Sequence, residues 1–399
     1  MATVVLVGTL DTKGDEYAWL RDRLRRLGCD VVLVDAGVGP PQTEADVPAD
    51  EVARAGGASL QVLRDAGDRG AAVTVMGEGA AAVLAELDRV DAVLAVGGSG
   101  GSSIAARAVR DLPIGVPKLI VSTMAAGDVA PYVGAKDVAM MYSVVDIAGV
   151  NRVSRLVLGN AAAAAAGMAK AYAAPAPVMD DRPLVGASMF GVTTPAVEAA
   201  RERLDELGYE VLVFHATGAG GQALEGLAES GLLAGVLDLT TTELADDLVG
   251  GVLSAGPDRL TAAGKTGVPQ VVAPGALDMV NFGPLATVPE RFQDRNLYVH
   301  NPTVTLMRTT RDEMAELGRR VAGKLAAATG PTVLFLPLQG VSALDAPGMP
   351  FHDPEADEAC FAALEGAVET ERLDMNINDP AFGRAMADRL HKLITEGVR

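Results

Sequence analysis

The sequence has little cysteine, few aromatic residues and far fewer basic than acidic residues. Only Cys29 and Cys360 occur among its 399 residues, which excludes a disulfide framework or a thiolate metal site and fits a reducing cytoplasm. Lysine and arginine number 33 against 52 aspartate and glutamate residues, and the formal net charge is -19. Because phosphate neutralisation requires clustered basic residues, the sequence predicts no nucleic-acid partner.

Long apolar runs and targeting signals are also missing. No stretch of about eighteen apolar residues is free of polar, glycine or proline interruptions, so we expect no membrane span. The chain enters its first apolar run directly after Met-Ala-Thr, without a basic segment or a cleavage site. Since a secretory signal would have both, we predict a cytoplasmic protein.

Short β-branched runs alternate with segments of helical periodicity in the first half of the chain. Runs at 3–7, 31–34, 92–96 and 118–122 predict strands. Because adjacent parallel strands need a long return connection, the alternation predicts a mainly parallel sheet covered by helices.

The second half of the chain repeats this pattern. The segment from Leu184 resembles the segment from Leu6, including the apolar stripe of the helix that follows. A proline-rich, polar segment at 173–183 interrupts the pattern. We therefore predict an α/β fold of two Rossmann-like doubly wound parallel-sheet subdomains, 1–178 and 179–399, with a cleft between them.

Three polar loops follow predicted strands in the first half, at 8–14, 97–101 and 122–123. In open α/β sheets, ligands bind beyond the carboxyl ends of strands, where helix N-termini present free amides. Glycines let the backbone approach a phosphate, and Lys13 adds positive charge. The residues predicted to hold a nucleotide are Gly8, Thr9, Thr12, Lys13, Gly97, Gly98, Ser99, Gly100, Gly101, Ser122 and Thr123.

A structural interpretation of these loops stays open beside the functional one. Thr12 with Asp15, and Ser102 or Ser103, are also suited to cap helices. The loop at 8–14 lacks the Walker A pattern, because its lysine precedes the nearest glycine. No Gly-x-Gly-x-x-Gly follows the first predicted strand either, which disfavours a dehydrogenase.

The second half has one histidine beside a glycine-rich loop. This residue, His215, is the best candidate acid or base, and a structural histidine is the alternative. Asp11, Asp128, Asp278 and Asp345 are candidate Mg²⁺ ligands or general bases, although loop aspartates also form Asx turns.

Three loops of the second half also match helix caps. Thr194 precedes a proline, and Thr240 and Thr310 each lie three residues before a glutamate. A cap and a ligand site use the same free donors, so both interpretations stay open.

Ordered sequence blocks resemble a known family across nearly the whole chain. They include VGTLDTKGDE, GGSGGSSIAARAV, GYEVLVFHATGAGGQAL and GVSALDAPGMPFHDPEAD. The chain is similar to the family formed by the ATP-binding domain of the plant tomato mosaic virus resistance protein and its bacterial relatives. The resemblance implies two Rossmann-like subdomains, ATP binding and a homodimer. In the plant protein a TIM-barrel domain follows this region, so we expect a separate TIM-barrel protein as a partner.

The loops and the resemblance lead to two alternative expectations of function. The first is a cytoplasmic ATP-binding protein that forms part of an ATP-dependent enzyme acting on a small carboxylate or acyl substrate. Lys13 would neutralise phosphate, Asp11 would bind Mg²⁺ and His215 would act as an acid or base. The second is a nucleotide-responsive interaction module without catalysis. The residues expected to bind the substrate are Thr193, Thr194, Thr217, Gly218, Gly220, Gly221, Thr240, Thr241, Gly275 and Arg308.

Overall fold

The computed structural model describes residues 1–174 and 182–397 of the chain. The chain divides into two compact units, Met1–Met179 and Asp180–Arg399. The predicted boundary between 178 and 179 lies outside the described residues. Each unit contains a parallel sheet flanked by helices, which confirms the predicted fold class. The cleft expected between the subdomains stays a prediction.

A five-stranded parallel sheet forms the centre of the first unit. Its strands are β1 (Ala2–Gly8), β2 (Cys29–Asp35), β3 (Ala92–Gly97), β4 (Lys118–Ser122) and β5 (Val138–Tyr142). They lie in the order β2-β1-β3-β4-β5. The strands predicted from β-branched runs are confirmed as β1 to β4, and β5 extends the sheet at one edge.

Helices cover both faces of this sheet. They are α1 (Leu10–Arg26), α2 (Ala49–Ala55), α3 (Leu60–Ala66), α4 (Arg69–Glu86), α5 (Ser99–Val109), α6 (Ala130–Val133) and α7 (Arg152–Ala173). One apolar core joins α1 and α7 to the sheet, and a second core joins α2, α4 and α5 to its other face.

The buried stripe of α1 is formed by Tyr17, Leu20 and Leu24, whose side chains are fully buried. Spacings of three and four residues place these side chains on the face that contacts the sheet. Trp19, the one tryptophan of the sequence, is partly buried and packs against the same core. Its ring lies close to Gly159 of α7.

The strand order creates a topological switch point between β1 and β3. From β1 the chain continues through α1 to β2 on one side, whereas β3 lies on the other side and leads to β4. The loops that leave β1 and β3 therefore diverge at their carboxyl ends. Ligands of open α/β sheets bind at such crevices.

The second unit contains a six-stranded parallel sheet and a small antiparallel sheet. The strands are β6 (Leu184–Met189), β7 (Glu210–His215), β8 (Gly235–Thr240), β9 (Gln270–Gly275), β10 (Met279–Phe282), β11 (Leu297–Asn301), β12 (Val304–Arg308), β13 (Thr332–Pro337) and β14 (Glu369–Leu373). The parallel sheet has the order β14-β13-β9-β8-β6-β7. The antiparallel sheet, of order β10-β12-β11, was not predicted from the sequence.

The helices of the second unit are α8 (Thr194–Glu206), α9 (Ala219–Glu229), α10 (Glu243–Val249), α11 (Ala262–Thr266), α12 (Arg311–Ala326), α13 (Pro354–Leu364) and α14 (Pro380–Gly397). α8 and α14 share one apolar core with the parallel sheet, and α10, α12 and α13 share another. In the described part of the chain, no helix combines the length and apolar character that a membrane crossing requires.

The predicted helix caps are confirmed at one position and wrong at others. Thr310 forms the predicted capping box with Glu313 at the start of α12. The serine cap predicted after β3 is wrong, because α5 already begins at Ser99. Ser102 instead shares a 2.6 Å hydroxyl hydrogen bond with Ser122.

Thr12, Thr194 and Thr240 are not N-caps either. Thr12 lies inside α1, Thr194 is the first residue of α8, and Thr240 ends β8. A local pattern identifies residues that are able to cap, but it does not fix the residue at which each helix begins.

Candidate functional site

A cavity of about 740 Å³ opens at the switch point of the first unit. The loops after β1, β2 and β3 form its walls together with α3, α4 and the start of α5. Its volume lies within the usual range of small-molecule sites. The predicted nucleotide or metal ligands that line it are Thr9, Asp11, Thr12, Lys13, Gly97, Gly98, Ser99, Gly100 and Gly101. The structure therefore brings two of the three predicted loops together.

The glycine-rich turn after β3 leads directly into α5. Gly98 is the N-cap and Ser99 the first helical residue, so the first amides have no partner within the helix. Such amides and the positive end of the helix dipole attract anions. Gly97 is required by packing, since a Cβ atom there would lie 2.8 Å from Cα of Gly101. A Cβ atom on Gly98 would make only ordinary contacts, so packing does not require glycine at this position. The absence of a side chain here leaves the amides at the start of α5 accessible.

Lys13 lies on the cavity wall at a distortion in the first turns of α1. Its backbone dihedral angles are non-helical, and Nζ donates a 2.5 Å hydrogen bond to the carbonyl oxygen of Ile147. The hydroxyls of Thr9 and Thr12 lie 3.0 Å apart in the same turn. The ammonium group predicted to neutralise phosphate is therefore already held by a carbonyl oxygen.

Gly8 precedes these residues but does not line the cavity. The ring of Tyr17 fills the space in which a Cβ atom at position 8 would lie. The Tyr17 hydroxyl donates to the carbonyl oxygen of Val7 at 2.6 Å and accepts from the amide of Val96 at 2.8 Å. Burial raises the pKa of Tyr17. Packing of this ring between β1 and β3 thus accounts for glycine at position 8.

The loop after β2 forms a wall that sequence reasoning missed. Oδ2 of Asp11 accepts hydrogen bonds from the amides of Val38 and Gly39, at 3.2 and 2.7 Å. Asp11 therefore orients this loop. Its other oxygen, Oδ1, is buried and has no hydrogen-bond partner among the described residues. The glycines that follow Asp35 in the sequence were the signal that could have found this wall.

Asp35 fastens the same loop to the start of α1. Its Oδ1 accepts from the amides of Leu10 at 3.1 Å and Gly37 at 2.8 Å. Burial raises the pKa of Asp35, and the two N–H donors oppose this rise. Across the described residues, no group of three or more His, Cys, Asp or Glu residues is arranged to hold a metal ion.

Two arginines line the cavity and were not predicted. Arg64 donates from Nε and Nη2 to the carbonyl oxygens of Val38 and Gly39. Arg69, the first residue of α4, is exposed and has no hydrogen-bond or ion-pair partner among the described residues. Its Nη2 lies near Gly100, where a Cβ atom would be 3.5 Å away. Both arginines lie on helices rather than in the strand-end loops that were predicted to bind the ligand.

The remaining lining is largely apolar. It includes Leu63, Ala72, Met76 and Ile104, which are all buried and come from α3, α4 and α5. An apolar wall with a few polar groups is typical of sites for aromatic ligands such as nucleobases.

Ser122 and Thr123 do not line the cavity. The buried hydroxyl of Ser122 bonds to Ser102 and also accepts from the amide of Met124 at 3.0 Å. Thr123 lies beside Gly98. In the structure this loop fastens β4 to α5, and its role in binding stays a prediction.

The glycine-rich turn after β7 in the second unit already holds an anion from the protein itself. The amides of Gly218 and Gly221 donate to Oε1 of Glu243, at 2.7 and 3.0 Å. Glu243 is fully buried, and its Oε2 accepts a 2.6 Å hydrogen bond from Nε of Arg259. A carboxylate thus occupies the start of α9, whereas the start of α5 faces a cavity.

Other predicted substrate residues are engaged inside the second unit. Thr193 and Thr240 share a 2.7 Å hydroxyl hydrogen bond, and Thr241 donates to the carbonyl oxygen of Ala273 at 3.3 Å. Internal hydrogen bonds or close backbone packing also involve Thr194, Thr217, Gly220 and Gly275. Their predicted contacts with a substrate stay predictions.

Arg308 lies in a buried cluster with three aspartates. Its Nη2 donates to Asp357 at 2.8 Å and to Asp345 at 3.3 Å. Asp278 accepts from the hydroxyl of Ser342 at 2.8 Å. Burial raises the pKa of Asp278 to about 6 and that of Asp345 to about 9. The guanidinium group predicted to bind a carboxylate substrate is therefore engaged by aspartate side chains of the protein.

His215 and Asp128, the remaining candidates, are exposed. His215 ends β7, and its ring meets that of Phe190 edge-on with 5.5 Å between centroids. Asp128 accepts from the amide of Ala130 at 3.0 Å, as in an Asx turn. His215 belongs to the second unit, whereas the other two predicted catalytic residues belong to the first.

These features define an α/β protein of two parallel-sheet units, the first with an open cavity at its switch point. Residues 2–174 match the N-terminal domain of uncharacterised protein family UPF0261, and residues 182–394 match its C-terminal domain. The chain belongs to this family.

Relatives of the chain occur in bacteria and in a plant. A UPF0261 protein of Clostridium tetani is 50% identical over 396 residues, covering 97% of this chain and 98% of the relative. One from Rhizobium meliloti is 49% identical over 391 residues, covering 96% and 97%. The ToMV resistance protein Tm-1 of Solanum lycopersicum is 40% identical over 417 residues, covering 96% of this chain and 55% of the plant protein. The resemblance to that protein and its bacterial relatives is confirmed.

Proposed function

We propose that the first unit binds ATP in its cavity of about 740 Å³. The proposal is carried by one observation: a glycine-rich helix start, basic side chains and an apolar wall converge on the same cavity. A polyphosphate needs amide donors and positive charge, and a nucleobase needs apolar surface. A cavity that offers both along its length suits a nucleoside triphosphate.

The local charge of the cavity matters because the whole chain is strongly acidic. Lys13, Arg64 and Arg69 line the cavity together with Asp11 and Asp68. The charges of these three basic and two acidic side chains do not neutralise a triphosphate, so Mg²⁺ would accompany the ligand. Mg²⁺ commonly binds phosphate oxygens, water and one or two carboxylates. The unpartnered Oδ1 of Asp11 fits a single such contact.

The corresponding glycine-rich turn of the second unit is already filled, which favours the first unit as the nucleotide site. The amides of Gly218 and Gly221, which would form a comparable anion site, are satisfied by Glu243. A nucleotide would have to displace a buried carboxylate that is also paired with Arg259. That displacement would break a buried ion pair and leave Nε of Arg259 without its acceptor, although Asp238 and Glu225 would still partner the guanidinium group.

Two uses of the bound nucleotide are proposed. In the first, the cytoplasmic protein couples ATP to a reaction of a small carboxylate or acyl substrate, together with a TIM-barrel partner. In the second, the protein is a nucleotide-responsive module without catalysis. Among the described residues that line the cavity there is no histidine or cysteine, and both Asp11 and Asp68 accept backbone hydrogen bonds. This lining favours binding without chemistry by the chain alone.

ATP consumption separates the two uses. The purified chain would be incubated with MgATP and small carboxylic acids, with and without a co-expressed TIM-barrel protein. An ATP pool that stays intact in every mixture would support the module, and product formation would support the enzyme. Light scattering of the same preparation would test the predicted homodimer.

A glycine substitution tests the binding site itself. Gly98→Val should weaken MgATP binding by about tenfold or more in calorimetry, because its side chain would cover the amides of α5. The fold should persist, since a Cβ atom there meets only ordinary contacts. Gly191→Val in the second unit is the matched control, because a Cβ atom at that position has open space. Equal affinity of both variants and the native chain would place the nucleotide elsewhere.

A further inference from the structure

We propose that Arg69 contacts the terminal phosphates of the nucleotide and so makes the cavity selective for ligands with two or three phosphates. This inference rests on the proposed function, which it makes more specific. The sequence predicts that Lys13 neutralises the phosphate charge, whereas the contacts of the cavity cations point to Arg69.

The cations of the cavity differ in how far they are already engaged. Nζ of Lys13 donates to the carbonyl oxygen of Ile147 at 2.5 Å. Nε and Nη2 of Arg64 donate hydrogen bonds to the carbonyl oxygens of Val38 and Gly39. Arg69 has no such partner among the described residues. Its guanidinium group is therefore the lining cation whose donors are all available to a ligand.

Arg69 is also placed beside the backbone that would hold a phosphate. It begins α4, and its Nη2 lies near Gly100 in the first turn of α5. A side chain at position 100 would meet the guanidinium group, with its Cβ atom 3.5 Å from Nη2. That contact is an ordinary one, and it shows that the arginine lies beside the first turn of α5. A planar guanidinium group binds phosphate oxygens through two parallel hydrogen bonds, which a lysine does not reproduce.

The distance between Arg69 and the apolar residues that would hold the nucleobase determines which phosphates Arg69 would contact. Met76 is the cavity-lining residue of α4 that lies furthest from Arg69, two turns along the helix and about 10 Å away along its axis. A nucleobase against Met76 therefore leaves the ribose and the first phosphate to span this distance. Arg69 would then reach the phosphates beyond the first.

Calorimetric titrations of the full chain with ATP, ADP and AMP test the inference. Arg69→Ala should raise the Kd for ATP and for ADP by about tenfold, because one charge-assisted contact is lost. The Kd for AMP should stay within about twofold of the native value. Arg69→Lys should recover only part of the affinity for ATP, because lysine lacks the planar pair of donors.

Arg110→Ala is the matched control, because Arg110 is exposed at the other end of α5. It removes the same charge from the unit without touching the cavity, and it should leave all three affinities unchanged. Thermal unfolding of both variants should match the native chain, since both side chains are exposed.

The outcomes separate this inference from the proposed function. If the native chain binds ATP and Arg69→Ala leaves ATP and ADP affinity unchanged, the inference is overturned and the proposed function stands. An equal loss for ATP, ADP and AMP would also overturn it, because Arg69 would then contact the nucleoside or shape the cavity. If the native chain binds none of the three ligands, both proposals fail.

Discussion

The space next to position 8 is occupied by the ring of Tyr17, which belongs to the following helix. Gly8→Ala should therefore destabilise the protein by about 1–3 kcal/mol, the usual cost of overpacking a filled core. Urea denaturation of the full chain would measure this. Gly191→Ala, at a position with open space, is the control. Unchanged stability of Gly8→Ala would show that the glycine is not required by the ring.

A second consequence at this scale concerns the aspartates around Arg308. Burial raises the pKa of Asp345 to about 9, whereas an unfolded aspartate has a pKa of about 3.9. The stability contributed by its protonated form is complete below the unfolded pKa and is lost as the pH rises through the folded pKa. We expect the native chain to become progressively less stable between about pH 4 and pH 9 through this group.

Asp345→Asn tests this because asparagine resembles the protonated acid in shape. Its amide oxygen is able to accept from the amide of Val341, as Oδ2 of Asp345 does at 2.8 Å. Melting temperatures of the native chain and the variant should diverge in favour of the variant as the pH rises, by at least about 2 °C. Asp128→Asn, at an exposed turn, is the control. A constant difference across the pH range would contradict the expectation.

The sequence identifies the glycines but not the reason for each one. Gly8 faces a tyrosine ring, Gly97 faces the first turn of α5, and Gly98 has ordinary contacts only. All three lie in strand-end loops that look alike in the sequence. The distinction depends on which atoms the fold brings to each Cα atom, and a pattern of residue types does not contain that information.

Among the elements, α9 differs from α5 because the carboxylate of Glu243 lies at its start. Glu243→Ala should cost about 1–3 kcal/mol of stability, because it leaves the amides of Gly218 and Gly221 and Nε of Arg259 without their acceptor. Glu243→Gln should cost less, since an amide oxygen is still able to accept from the two glycine amides. Denaturant titration would measure both, with Glu198→Ala on the exposed face of α8 as the control.

Sulfate provides an independent check on this element. If the start of α9 is a filled anion site, sulfate should restore part of the stability lost in Glu243→Ala, because helix N-termini bind such anions. The native chain should gain less from the same salt. An equal gain in the two proteins would indicate a general salt effect.

The regular elements were more accessible to sequence reasoning than their boundaries. β1 to β4 follow from β-branched runs, because the signal is local and buried parallel strands are continuously apolar. The antiparallel strands β10 to β12 were missed, since prolines and polar residues interrupt the segment that contains them. Two of the wrong caps have a tertiary cause, because Ser102 and Thr240 use their hydroxyls on partners that are distant in sequence. The hydroxyls of Thr12 and Thr194 contact residues three or four positions earlier instead.

For the whole molecule, the main consequence is that the proposed site lies within one unit. All residues that line the cavity fall between Thr9 and Ile104. A fragment of residues 1–174 should therefore bind MgATP with a Kd within about threefold of the full chain, as calorimetry would show. A fragment of residues 182–399 should not bind it. Loss of binding in the first fragment, despite cooperative unfolding, would mean that the second unit contributes to the site.

At this scale the sequence predicts the class of fold and the place of the cavity. Two similar runs of alternating elements lead to two parallel sheets, and the strand-end rule leads to the loops after β1 and β3. It does not predict the part played by α3 and α4, whose arginines reach the cavity only through tertiary packing. It also gives no sign that the glycine turn of the second unit is filled by a distant glutamate.

Trp19 gives the protein a built-in optical reporter. It is the one indole in the chain, and it lies on α1, the helix whose first turn borders the cavity. Its emission spectrum therefore responds to the surroundings of that helix without interference from another tryptophan. Ligand titrations and stopped-flow measurements of the first unit are accessible on the unlabelled native protein.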